Sequence, residues 1–209
     1  MTERKKSSRA DKAVERRQAV IAAATEVFVA KGFAAARIED VAARAGVAKG
    51  TVYLSFADKE ALFEAAVKAQ MLPVAERVRA TLEPGPGSAR QAIEAFLFTA
   101  LDELSEPRTG DVVRLVVGES IRFPELTRFY RREVIGPIQQ RCAALLIQAA
   151  ANGELTTPET ARYPLLVIAP MMMVVIGRGV MQEMGLVDPR PLLRAHLDAL
   201  FGPSRDGAA

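Results

Sequence analysis

The chain has 209 residues, 50% hydrophobic and 25% charged, with 14 Gly and 12 Pro; this gives one or two folded units with a sizeable core, not a disordered or collagen-like chain. One cysteine, Cys142, and one histidine, His196, leave no disulfide framework and no Cys- or His-based zinc set, which argues against metalloenzyme chemistry and nucleophilic triads. The net charge of +3 is unevenly spread: residues 1–59 hold 12 Lys/Arg against 7 Asp/Glu, while residues 60–209 hold 16 against 18. Only the first quarter is suited to meet a polyanion, although a solubilising basic tail explains the same count.

The opening Met1–Asp11 is polar and basic, with no apolar core of a secretory signal, so a cytoplasmic location is expected. From Ala13 to Lys31, the residues Val14, Ile21, Ala24, Val27 and Phe28 recur at helical period, and Lys31-Gly32 ends the helix. Ile38, Val41, Ala42 and Ala45 mark a short second helix; Gly46 supplies a positive-φ turn, and Val47 and Val52 bring a third helix back across it. That spacing suits a helix-turn-helix, with an ordinary helical hairpin as the alternative.

Asp58 reads as the N-cap of a helix reaching Leu72 or beyond, which Pro73 should kink or end. Ala89–Leu104, Glu125–Ala151, Glu159–Glu183 and Pro189–Phe201 have helical length. Asp111–Gly118 is rich enough in valine for a strand, but an unpartnered strand has no place in an otherwise helical chain, so a helix is predicted. The apolar run Pro164–Gly177 is 14 residues, too short to span a bilayer, and reads as a buried helix; no membrane partner is expected.

Gly32-Phe33, Val41-Ala42, the run Ala45-Gly46-Val47-Ala48-Lys49-Gly50-Thr51-Val52-Tyr53, and Phe56 followed by Asp58-Lys59-Glu60-Ala61-Leu62-Phe63 resemble the DNA-binding domain of TetR-family transcriptional regulators over about residues 15–65. Arg114-Leu115-Val116-Val117 and Arg122-Phe123-Pro124-Glu125-Leu126 resemble, more weakly, the regulatory domain of AcrR-like and AefR-like members. The resemblance implies an all-α homodimer of about nine helices per chain. A three-helix unit would read DNA, and a larger C-terminal helical domain would dimerise and enclose a small-molecule pocket. The expected division is a basic tail at 1–11, a DNA-binding domain at 12–57, a connecting helix at 58–82, a ligand-binding and dimerisation domain at 83–202 and a tail at 203–209.

In that frame residues 49–55 form the recognition helix in the major groove. Lys49 would neutralise a phosphate or reach a guanine, and the bare Gly50 would let the backbone approach closely. Thr51 would offer a hydroxyl and a methyl, and Tyr53 a rigid ring with a polar tip. Lys59 would add a phosphate contact, with Arg37 and Arg44 as secondary candidates, against solvated side chains as the alternative. The tail residues Arg4, Lys5, Lys6 and Arg9 form either a minor-groove arm or a solubilising segment. Three positions depart from the family pattern: Ala36 stands for the usual Thr, Ala48 for the usual Ser, and Ser55 for an aromatic or His. Losing a hydroxyl cap costs ~1 kcal/mol, so operator affinity cannot be carried over.

For an effector, Phe96, Phe98, Leu101, Met171, Met172, Val175 and Ile176 offer apolar, deformable surface, and Glu119 and Arg122, three apart, would orient a polar group. Plain core and a surface ion pair are the alternatives. Pro170 would kink its helix and open the cavity. No cofactor is expected. Dimerisation is assigned to residues 159–183 and 189–201, with Gly177 and Gly179 for close approach and Leu192, Leu193, Leu197 and Leu200 as an apolar face. The reading is a regulator of palindromic operator DNA, a repressor released by a small, largely apolar ligand. A regulator without effector, an activator, or more remotely a helical enzyme with an apolar substrate are the alternatives.

Overall fold

Apolar side chains every three or four positions, with Gly and Pro confined largely to the joints, make successive helices, and among the described residues there is no strand. The computed structural model describes residues 9–83, 87–177, 179, 183–185 and 188–203. Residues 1–8, 84–86, 178, 180–182, 186–187 and 204–209 lie outside them.

Helix α1 (Arg9–Ala35) breaks its helical course at Gly32, whose φ of 74° and ψ of 163° are open to glycine but strained for other residues. By length and composition α1 is apolar enough to cross a membrane, but its apolar face, including Val20, Ala24, Phe28 and Phe33, is buried. Helix α2 (Ile38–Ala45) ends on Gly46 in the left-handed conformation (φ 67°), the turn its position requires. Helix α3 (Lys49–Tyr53) follows, anchored by the buried Val52. Phe28, Phe33 and Phe63 pack mutually, their ring centroids 5.1–5.8 Å apart, and lock α1 to the start of α4.

Helix α4 (Lys59–Ala80) is capped by the Asp58 carboxylate, which accepts the Ala61 N–H at 2.7 Å. It does not stop at Pro73 but runs seven residues further. Pro73 is exposed, so the carbonyl it frees at Ala69, also exposed, is left to water, while Met71, Val74 and Val78 hold the inner face. At 1.5 Å per residue, about 30 Å of helix therefore runs from the α1 core into the second half of the chain.

That half comprises α5 (Ala89–Ser105), α6 (Pro107–Glu119) and α7 (Pro124–Tyr130), which continues through a π-helical stretch at Arg131–Ile135 into α8 (Gly136–Ala151). A 3-10 segment at Pro158–Arg162, α9 (Leu165–Ile176) and α10 (Arg190–Phe201) complete it. Ser88 and Gln91 cap α5 reciprocally. The valine-rich 111–118 segment lies in α6, where Val112, Val113 and Val116 are buried. The α-helix expected from Glu159 begins only at Leu165, because Pro158 and Pro164 break the preceding turn; its expected end near Glu183 falls mostly outside the described residues.

Helix α9 passes through Pro170. Pro170 deprives the Leu166 carbonyl, four residues back, of its helical donor, and the half-buried His196 ring of α10 lies against that same Leu166 backbone. In α10, Leu193, Leu197 and Leu200 are buried in the chain's own core; Leu192 stays exposed. The apolar face assigned to a partner is thus spent largely within the protomer.

Candidate nucleic-acid interface and ligand cavity

Val52, only 1% exposed, fixes how α3 rolls on its support. At 100° per residue, Lys49 and Tyr53 then fall on one flank, Thr51 on the other, and Gly50 and Leu54 point most directly away from the core. All are exposed except the partly buried Thr51. A Cβ on Gly50 would meet nothing within 4 Å, so the backbone here is open to close approach. Ala48, at the N-cap of α3, has no side-chain acceptor to offer, as the missing serine implies.

Two of the basic candidates stand on this surface but are already paired. The Lys49 ammonium lies 2.6 Å from Glu39 of α2 and 5.8 Å from the centre of the Tyr53 ring. Their hydrogen bond holds the Glu39 carboxyl below its ordinary range and raises the Lys49 ammonium above its own. The Arg44 guanidinium pairs with Glu26 on α1. Arg37 is exposed at the start of α2, where its N–H donates to Asp40 at 3.2 Å.

Lys59 is engaged within the chain. Its ammonium is turned inward and donates to the carbonyls of Phe33, Ala34 and Ala36 at 2.8, 3.2 and 3.1 Å, over the Phe33 ring. All three protons are engaged in closing the end of α1, so a phosphate contact would have to displace one of these carbonyls.

The second site is a cavity of about 60 Å³ between α4, α5, α6, α8 and α9, with walls that include Met71, Val78, Phe96, Val113, Val134, Ile138, Met171 and Met172. Tyr130, Gln139 and Cys142 bring the polar groups of the lining, and none of the lining residues carries a formal charge. Burial raises the Tyr130 phenol far above its usual range and pushes the Cys142 thiol up to about 12; both are neutral at physiological pH. The volume is small beside the 300–1,000 Å³ of typical ligand pockets, so an occupant must displace wall side chains, and methionines are the side chains best able to move.

Of the predicted effector residues, Phe96, Met171 and Met172 line this cavity, and six do not, Ile176 among them being exposed. Leu101 and Val175 are buried elsewhere in the core. Phe98 lies on another face of α5, with the guanidinium groups of Arg190 and Arg194 5.7 and 5.6 Å from its ring centre. Arg122 is exposed over the Phe123 ring. Glu119 points towards the DNA-binding unit, where its Oε1 accepts the Phe33 N–H at 2.7 Å. The three-residue spacing of Glu119 and Arg122 does not put them on one helix face, because α6 ends at Glu119. Sequence reasoning did not single out Met71, Tyr130 or Gln139, since their convergence depends on how α4 and α8 pack, nor Leu54, whose four-residue spacing from Gly50 was an available signal.

The family model for bacterial regulatory proteins of the tetR family matches residues 20–66, and that for the tetracyclin repressor-like C-terminal domain matches residues 83–188. Among curated proteins, the chain is 26% identical over 152 residues to the uncharacterized HTH-type transcriptional regulator YezE of Bacillus subtilis, covering 69% of this chain and 77% of that one. It is 28% identical over 146 residues to the HTH-type transcriptional regulator SrpR of Pseudomonas putida, covering 70% and 66%. Among solved structures, the transcriptional regulator FadR from Bacillus subtilis in complex with stearoyl-CoA superposes with a TM-score of 0.71 at 20% identity, covering 90% of this chain and 99% of that one. These matches span both halves of the fold, and the chain belongs to the TetR family of transcriptional regulators, not to an enzyme family.

Proposed function

We propose that the chain is a cytoplasmic homodimeric repressor that holds palindromic operator DNA through α2 and α3 and lets it go when an uncharged, largely apolar molecule enters the cavity. The observation that carries this reading is the position of the cavity. Two of its walls, α4 and α6, extend to the DNA-binding unit: α4 through Leu62 and Phe63, α6 through Glu119 on Phe33. A ligand that spreads the walls acts on both helices at once. An affinity difference between two arrangements of the dimer is then all that release requires.

The lining favours an alkyl or aryl ligand without formal charge, since no charged residue waits in the cavity to neutralise one. The stearoyl-CoA bound to the FadR neighbour makes an acyl chain a reasonable class to try first. For the twin chain, α9 and its approach offer exposed Tyr163, Leu165, Leu166, Met173 and Ile176, with Ile147 of α8 and Leu192 of α10 also exposed. Two-fold pairing through that surface would set two copies of α3 on successive half-sites.

The test begins with duplexes selected from a random library by the purified full chain. Anisotropy on the recovered site is then measured while 1-alkanols from octanol to dodecanol are added. Each added methylene should strengthen release by about fourfold until the cavity is filled, the worth of about 0.8 kcal/mol per buried CH₂. Recovery of a palindrome with no alkanol response would reject the effector half of the proposal; recovery of no duplex would reject the whole.

A further inference from the structure

Leu54 is 88% exposed, at the C-cap of the recognition helix with helical backbone angles (φ −66°, ψ −24°). A lone exposed leucine is ordinary on a protein surface. What sets this one apart is its direction: the roll imposed by buried Val52 points Leu54 outward, one turn beyond Gly50, whose missing side chain lets the helix sit low on whatever it meets. The polar side chains of the helix occupy its flanks, Lys49 and Tyr53 to one side and Thr51 to the other, and Lys49 is further restrained by Glu39. The centre of the face is therefore apolar.

In the major groove the one apolar group that base pairs present is the thymine C5-methyl. We infer that Leu54 reads sequence by packing against a thymine methyl in each half-site, with Gly50 providing the closeness that contact needs. This rests on the reading of α3 as the DNA-binding helix. Leu54 then supplies specificity and the flanking Lys49, Thr51 and Tyr53 supply hydrogen bonds and charge.

The experiment uses the duplex recovered by selection with the full chain. Each thymine of one half-site is replaced in turn by uracil, which removes the methyl and leaves the pairing edge unchanged. Wild type and Leu54→Ala are compared on every duplex. At one position uracil should weaken wild-type binding by about fourfold, the worth of one buried methyl, and should leave Leu54→Ala binding unchanged, the double cycle isolating that contact. Leu54→Ala should bind the natural duplex more weakly than wild type with an unaltered melting curve. The inference is overturned if no uracil effect disappears in Leu54→Ala, or if that variant binds the natural duplex as wild type does. Failure to recover any duplex would overturn the underlying DNA-binding reading and this inference with it, and is thereby distinguishable from failure of the methyl contact alone.

Discussion

Glu119 and Phe33, 86 residues apart, meet where the last residue of α6 turns its carboxylate oxygen onto the backbone N–H just after the break in α1, at 2.7 Å. The break itself is at Gly32, and a Cβ there would lie 2.9 Å from the same oxygen. Glu119→Ala should lower unfolding free energy by about 1–3 kcal/mol, the range for a hydrogen bond to a charged group, and Glu119→Gln should recover most of it by keeping an acceptor. Gly32→Ala should cost about 1–3 kcal/mol through backbone strain, before any clash. Chemical denaturation of the three variants checks the order; an unaffected Gly32→Ala would contradict the geometry.

Lys59→Met should destabilise the protein by about 1–3 kcal/mol, since three carbonyls at the end of α1 lose their shared donor. If the side chain acts only there, the dependence of operator binding on salt keeps its slope. A phosphate contact would instead show as a slope reduced by about one.

Gly50→Ala separates folding from recognition. The position is helical and open, so the added methyl should raise stability by about 0.5–1 kcal/mol. The same methyl projects from the outer face, and affinity for the selected duplex should fall. A variant that melts higher and binds equally well would show that DNA does not approach α3 at this point.

On the proposed reading of α3, Glu39 would compete with DNA for Lys49. Its carboxyl, held low by the Lys49 hydrogen bond, is ionised at neutral pH, so it both occupies the ammonium and repels phosphate. Glu39→Gln should tighten operator binding several-fold at low salt, with the gain shrinking as salt screens it. Binding that weakens would make the pair a necessary support for the α2–α3 turn.

His196 carries a pH dependence of definite sign. Burial lowers its pKa beneath the usual 6.5, and the Leu166 backbone hydrogen bond opposes only part of that. A depressed folded pKa means the contribution to stability is complete above about pH 6.5 and is lost as pH falls through the folded value. The thermal midpoint should therefore drop on acidification from pH 7.5 to 5.5. His196→Gln should flatten that drop, and an equal slope in both proteins would assign the effect to other groups.

The DNA-binding unit was legible in the sequence because its determinants are local. Gly46 had to take a positive φ, Val52 had to face inward, and Asp58 had to cap the next helix, and each does so within a few residues of its partners. The carbonyl contacts of Lys59 were not legible for the opposite reason: they lie 23–26 residues earlier, and nothing in a run of helical periods says that α4 begins under the end of α1. The effector half was legible only as apolar helices. Phe96 and Phe98, two positions apart on one helix, point to different surroundings, one into the cavity and the other under two arginines. Which of them faces the hollow depends on long-range packing that no local pattern encodes. Pro73 was expected to kink or end its helix and Pro170 to kink its own; neither ends its helix, the carbonyl freed by Pro73 being exposed and His196 lying against the backbone of the one freed by Pro170.

A hollow walled almost entirely by thioether and hydrocarbon, without charged side chains and with room for only a few atoms at rest, would sort callers by girth and oiliness instead of by functional group. If the chain senses a ligand as proposed, it would answer to compounds that already prefer to leave water, and molecules of very different chemistry but similar bulk would sound the same alarm. Narrowing its repertoire would call for a fixed donor or charge on that wall, at the expense of the breadth that its flexible sulfur side chains provide.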